Sequence, residues 1–143
     1  MLVLVAGGLL GAPAQADHST RLTTTLSWQN EVDTGSDRGF GFSAVRLSGD
    51  SVCFGVRWSN IEDVVMAHIH EAPAGVSGPV VVPLFMEGPG PNSSDSSAWG
   101  CVRGVDEALV DEIAENPENY YVNVHTTEVP GGAIRGQLAA PMA

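Results

Sequence analysis

Three of the four histidines fall in two short segments that read as strands. His68 and His70 lie in VVMAHIH, and His125 lies in YYVNVHT. Residues i and i+2 of a strand project from the same face. His68 and His70 therefore share a face, which leaves Val65, Ala67 and Ile69 for the core. In the second segment Val122 and Val124 turn inward, and His125 turns outward with Tyr121 and Asn123. Two imidazoles on one strand face can converge on an ion at bond lengths of about 2.0 Å, and a third from another strand completes a three-nitrogen set. Imidazole suits copper and zinc, and Met66, on the His68 face, could lend a soft ligand to Cu(I). Pairing Val124 opposite Ile134 would set Asn123 opposite Arg135 with His125 diagonal to it. A guanidinium and an amide would then stand beside the imidazoles on a semi-exposed face, to support them or to meet an anion. The plainer reading stays open: H-x-H is a short pattern, and outward histidines also hydrogen-bond to loops, tyrosines and carboxylates.

Other chemistries find little support. The 143 residues hold 17 Asp+Glu against 6 Lys+Arg, a formal net charge of −11, and all six cations are arginine. Without lysine there is no Schiff base, no P-loop lysine and no lysine general base. The acidic balance argues against a nucleic-acid partner, which needs a basic footprint. Gly75-Val76-Ser77-Gly78 falls short of a nucleophile elbow. Asp106, Glu107, Asp111, Glu112 and Glu115 fit the solvated face of a helix, since no loop of oxygen ligands accompanies them.

The elements that must hold the histidines read as short strands punctuated by Gly, Pro, Asn and Asp. Arg21 to Val32 alternates, with Leu22, Leu26 and Trp28 available to a core. Gly39 to Leu47 and Ser51 to Trp58 are joined by the tight turn Ser48-Gly49-Asp50. In the latter, Val52, Phe54, Val56 and Trp58 share one face, and Cys53, Gly55 and Arg57 the other. Val64 to His70, Pro79 to Phe85, Tyr120 to Thr126 and Gly132 to Ala139 complete the strands. Met86 to Trp99 reads as a mobile loop, in which Asn92 is formally a glycosylation acceptor. One helix is expected over Val105 to Glu115, ending at Asn116-Pro117. This pattern predicts an all-β fold, a Greek-key β-sandwich or barrel with one short helix in a crossover.

Met1 to Ala16 carries no charge. Its apolar run, Leu2 to Leu10, precedes small residues with two A-x-A sites, as in a signal peptide, although no cation precedes the run. The run is too short to span a bilayer, and no later stretch approaches membrane length. The expectation is a leader over residues 1–16 and one domain over residues 17–143, secreted or periplasmic. An even cysteine count in an exported domain suggests a disulfide between Cys53 and Cys101, worth roughly 4 kcal/mol in the chain-entropy model. Two buried free thiols are the alternative.

Four stretches carry a resemblance. Ala67-His68-Ile69-His70, Gly75 with Gly78-Pro79-Val80-Val81-Val82, the run Asn116 to Thr126, and Pro130 to Leu138 (PGGAIRGQL) resemble a CHRD domain, the module named from chordin and found in exported bacterial proteins. The resemblance covers roughly residues 21 to 139. It implies an exported, non-enzymatic binding or structural module whose partner is an extracellular protein or a metal ion. In chordin such domains belong to an extracellular antagonist of bone morphogenetic proteins, a partner that does not carry over to this chain. The pattern ties His68, His70 and His125 to motif positions without assigning them an activity. A second, structural resemblance is to Cu,Zn superoxide dismutases, Greek-key barrels with an H-x-H strand, a later copper histidine, a disulfide and a nearby arginine. It implies a copper-dependent redox enzyme as the alternative function. No histidine lies between His70 and His125, so the bridging ligand and zinc subsite of those enzymes are missing here.

Overall fold

The computed structural model describes residues 18–33, 35–89 and 93–142. The expected leader over residues 1–16, its cleavage point and Asn92 lie outside them. Nine strands form one antiparallel sheet: β1 (Thr20–Ser27), β2 (Phe40–Ser48), β3 (Ser51–Ser59), β4 (Val64–Glu71), β5 (Val80–Phe85), β6 (Ser93–Ser94), β7 (Ser97–Val102), β8 (Tyr120–Thr126) and β9 (Ile134–Gln137). Their order across the sheet is β5-β4-β8-β9-β1-β2-β3-β7-β6. The all-β expectation holds, in the form of a single sheet curled into a half-barrel. The curl brings its two wings together, so that Phe54 of β3 and Phe85 of β5 meet with ring centroids 6.3 Å apart.

Alternation builds the inner face. Leu22, Leu26, Val45, Leu47, Val52, Val56, Ala67, Ile69, Val122, Val124 and Ile134 are all buried in one cluster that runs through both wings. The helix α1 (Glu107–Glu115) lies in the long crossover from β7 to β8. Its N-cap is Asp106, whose carboxylate accepts the Ala108 N–H at 3.0 Å, and it ends before Pro117 as expected. Val110 and Ile113 are its buried contacts.

Two segments differ from the sequence reading. The first strand stops at Ser27, where the hydroxyl accepts the Gln29 N–H and a 3-10 turn, Trp28–Asn30, follows. That break turns Glu31 back toward β8. The stretch expected to be a mobile loop, Met86 to Trp99, contains β6 and the first half of β7. Its apolar content is low because β7 lies near the sheet edge, with Ala98 buried while Trp99 and Cys101 face outward. Strand pairing sets β7 against β3, and the Trp58 indole N–H donates to the Asp95 carbonyl at 3.2 Å.

Cys53 and Cys101 stand directly opposite each other in the β3–β7 ladder and are joined as a disulfide, so no described cysteine is free. The bond closes a 48-residue separation. Replacing both cysteines with alanine is expected to lower stability by up to about 4 kcal/mol, read as a drop in the urea midpoint. Amides of β7 should lose exchange protection first; uniform loss across the sheet would contradict an edge staple.

Candidate metal centre

β8 is buried along its whole length, on both faces. The inner face is the apolar core. The outer face carries Tyr121, Asn123 and His125, and β4 and β9 add His68, His70 and Arg135 beside them. All six are buried, with Arg135 only 2% exposed. The semi-exposed face expected from the sequence is thus covered, by the loop after β4, the β8–β9 turn and the segment around Glu31. An antiparallel sheet normally leaves one face to water; here loops replace the water.

Register brings the three histidines together. In the β4–β8 ladder His68 pairs with Asn123, His70 with Tyr121 and Met66 with His125. His125 is therefore diagonal to His68, within reach across the strands. Asn123 pairs with Arg135 and Val124 with Ile134, the register expected from the sequence. One ring nitrogen from each of His68, His70 and His125 lies within 4.8 Å of the other two. The closest pair, His68 Nδ1 and His125 Nε2, is 3.0 Å apart. Two nitrogens at that spacing can both sit about 2.0 Å from one ion, whereas a 4.8 Å span is wider than such bonds reach, so an ion would draw His70 inward.

Backbone carbonyls fix the tautomers. The Nδ1–H of His70 donates to Gly78 O and that of His125 to Pro130 O, each at 2.9 Å. A carbonyl can only accept, so both rings present Nε2 as a bare lone pair. His68 has one proton for two neighbours. On Nδ1 it satisfies His125; on Nε2 it meets Met86 Sδ at 3.1 Å and leaves two lone pairs facing each other. Either way His70 Nε2 has no partner, and it is the one such buried side-chain nitrogen or oxygen among the described residues. A shared cation would answer all three. Metal-bound imidazoles characteristically donate their other N–H to a carbonyl or carboxylate, as His70 and His125 do here.

Neighbouring groups hold the rings in place. Tyr121 stacks on His70, with centroids 4.8 Å apart and planes 9° apart, and the Arg135 guanidinium carbon lies 3.3 Å from the centre of the tyrosine ring. The strand order β4-β8-β9 sets His70 and Arg135 on opposite sides of β8. Arg135 also donates to Pro73 O at 3.0 Å and to Gln137 Oε1 at 3.1 Å. Gly78 is clamped twice, since its N–H donates to the Tyr121 hydroxyl at 3.1 Å while its carbonyl takes the His70 proton. A Cβ at Gly78 would collide with the Glu71 carbonyl oxygen. Asn123 donates to Ile134 O at 2.9 Å and to the Glu31 carboxylate at 2.5 Å. Gly132, at φ +128°, leaves room for that pair, because a Cβ there would sit 2.7 Å from Asn123 Oδ1.

A cleft of about 1180 Å³ opens over this layer. Its buried lining includes His70, Tyr121, Asn123 and Arg135, and its more exposed lining carries Glu31, Asp33, Asp37, Glu62 and Glu128 against Arg38. Such a field favours cations over anions. Glu31 and Met86 were not legible as site residues. Glu31 depends on the end of β1 and the 3-10 turn after Ser27, and Met86 on the bend after β5; no spacing in the sequence announces either.

Burial suppresses protonation of the rings. His68 is lowered to about 4, first by desolvation and then by His125 and His70. Desolvation also lowers His70 and His125, against the opposing effect of their carbonyl bonds. Glu31 goes the other way, raised to about 7 chiefly by desolvation. Below pH 6.5 the unfolded chain binds protons that folded His68 refuses, so metal-free stability is lost as pH falls from 6.5 toward 4. Glu31 opposes it between about 4.5 and 7, where the folded state binds the extra proton. Urea midpoints across this range should therefore fall more steeply with acid in Glu31→Gln than in the parent; parallel curves would refute the assignment.

A family model described as CHRD domain matches residues 22–138. None of the curated proteins and none of the solved structures compared with the chain matches it.

Proposed function

Since the chain belongs to the CHRD domain family, we propose that it is an exported, non-enzymatic binding module whose His68, His70 and His125 hold one copper or zinc ion. The observation that carries the reading is the buried, unpartnered Nε2 of His70, set beside the facing nitrogens of His68 and His125. The Gly78 and Pro130 carbonyls pre-set two of the three rings as ligands before an ion arrives. The disulfide fits an oxidising compartment outside the cytosol. No helix of the described residues is long and apolar enough to cross a membrane.

The copper redox alternative draws less support. An anionic substrate would need a free cation near the ion, and Arg135 is committed to Tyr121, Pro73 and Gln137. The carboxylates lining the cleft would also repel such a substrate.

Purified protein titrated with Cu(II) and with Zn(II) should bind one equivalent per chain. A His68→Ala/His70→Ala/His125→Ala variant should bind none at these residues. Because the folded rings resist protonation, the ion should be retained at pH 6.5 and released only at lower pH. Equal metal content in parent and variant would refute the site.

A further inference from the structure

Met86 stands at the outer edge of the three-histidine centre. Met66, the sulfur expected there, pairs with His125 across the β4–β8 ladder, yet the sulfur that reaches a ring nitrogen belongs to Met86. The bend that carries Met86 is fastened to β4 on both sides. Phe85 pairs with Ala67, and the Gly88 N–H donates to the Val65 carbonyl at 2.8 Å. The thioether is therefore held against the imidazole by backbone bonds.

His68 thus has a potential co-ligand at each nitrogen: His125 Nε2 at 3.0 Å from Nδ1, and Met86 Sδ at 3.1 Å from Nε2. A neutral imidazole has one lone pair, so His68 serves one pair at a time: with its proton on Nδ1, donated to His125, Nε2 is free to share a cation with Met86 at bond lengths of about 2.0 to 2.3 Å. The two edges differ in access, since Met86 is 53% exposed and His68 is buried. They also differ in chemistry, because a thioether is a soft donor that selects Cu(I), while zinc is served by imidazole alone. With both cysteines in the disulfide, no thiolate competes among the described residues.

We propose that Met86 Sδ and His68 Nε2 form a second, solvent-facing position that takes a soft monovalent cation, Cu(I), at the edge of the three-histidine centre. The proposal rests on the reading of the histidines as metal ligands and adds the oxidation state and the side from which the ion arrives. No electron changes hands: the ion enters as Cu(I) and is held as Cu(I).

The test uses the full chain labelled at its methionine methyl groups, with Cu(I) titrated anaerobically under ascorbate and the disulfide verified by mass. Zn(II) is titrated in parallel. Cu(I) should shift the Met86 methyl signal, identified by its loss in Met86→Leu, and Zn(II) should shift histidine ring protons alone. Met86→Leu keeps an apolar side chain of similar size. It should weaken Cu(I) binding at least about tenfold and leave Zn(II) within about twofold. A Met86 methyl that stays still while the ring protons respond to Cu(I) overturns the soft position and leaves the three-histidine reading intact. Equal weakening for both metals does the same. No response to either metal overturns both.

Discussion

The structure turns on the burial of β8 from both sides. Once its outer face is covered by loops, Tyr121, Asn123 and His125 are largely withdrawn from water, and each must find a partner inside the protein. An unpaired buried polar group costs on the order of 1–3 kcal/mol, so the covering loops are held to conformations that supply acceptors. The carbonyls of Gly78, Pro130 and Ile134 meet that need for His70, His125 and Asn123. The close approach at Gly78 and the backbone of Gly132 follow from it, because a side chain at either position would push those acceptors or their partners away.

The same satisfaction leaves a remainder that is chemical in character. Three imidazoles share too few protons to satisfy every nitrogen, and low polarity around them keeps further protons out. Arg135, which carries a full charge, is satisfied through the tyrosine face and two acceptors, and it adds to the cost of charging His70. The result is a set of lone pairs aimed inward with hydrogen bonds behind them. Preorganisation of this kind limits the rearrangement an ion must induce.

Much of this was legible in the sequence, and for physical reasons. Strand periodicity placed His68, His70 and His125 on one face, and the Val124–Ile134 pairing placed Asn123 opposite Arg135, because side-chain direction has a strict period of two. The cysteine count pointed to the disulfide that joins β3 to β7. What escaped depended on contacts distant along the chain. Whether the outer face was wet or dry could not follow from β8 itself, since its polar residues suit either state. β7 was missed because a strand near an edge needs few large apolar side chains. Glu31 and Met86 reach the site through a 3-10 turn and a bend that local periodicity does not encode.

The two ends of the sheet also constrain how the molecule meets others. β5 forms one edge and is interrupted by Pro83, which offers no N–H to a neighbour, and register shifts break its ladder with β4. β6 forms the other edge, with two residues among those described. Among the described residues neither edge presents a long flat row of donors and acceptors, so strand addition by a second chain is disfavoured at both ends. Self-association into extended β assemblies is thereby resisted by geometry, without help from surface lysines, of which the chain has none.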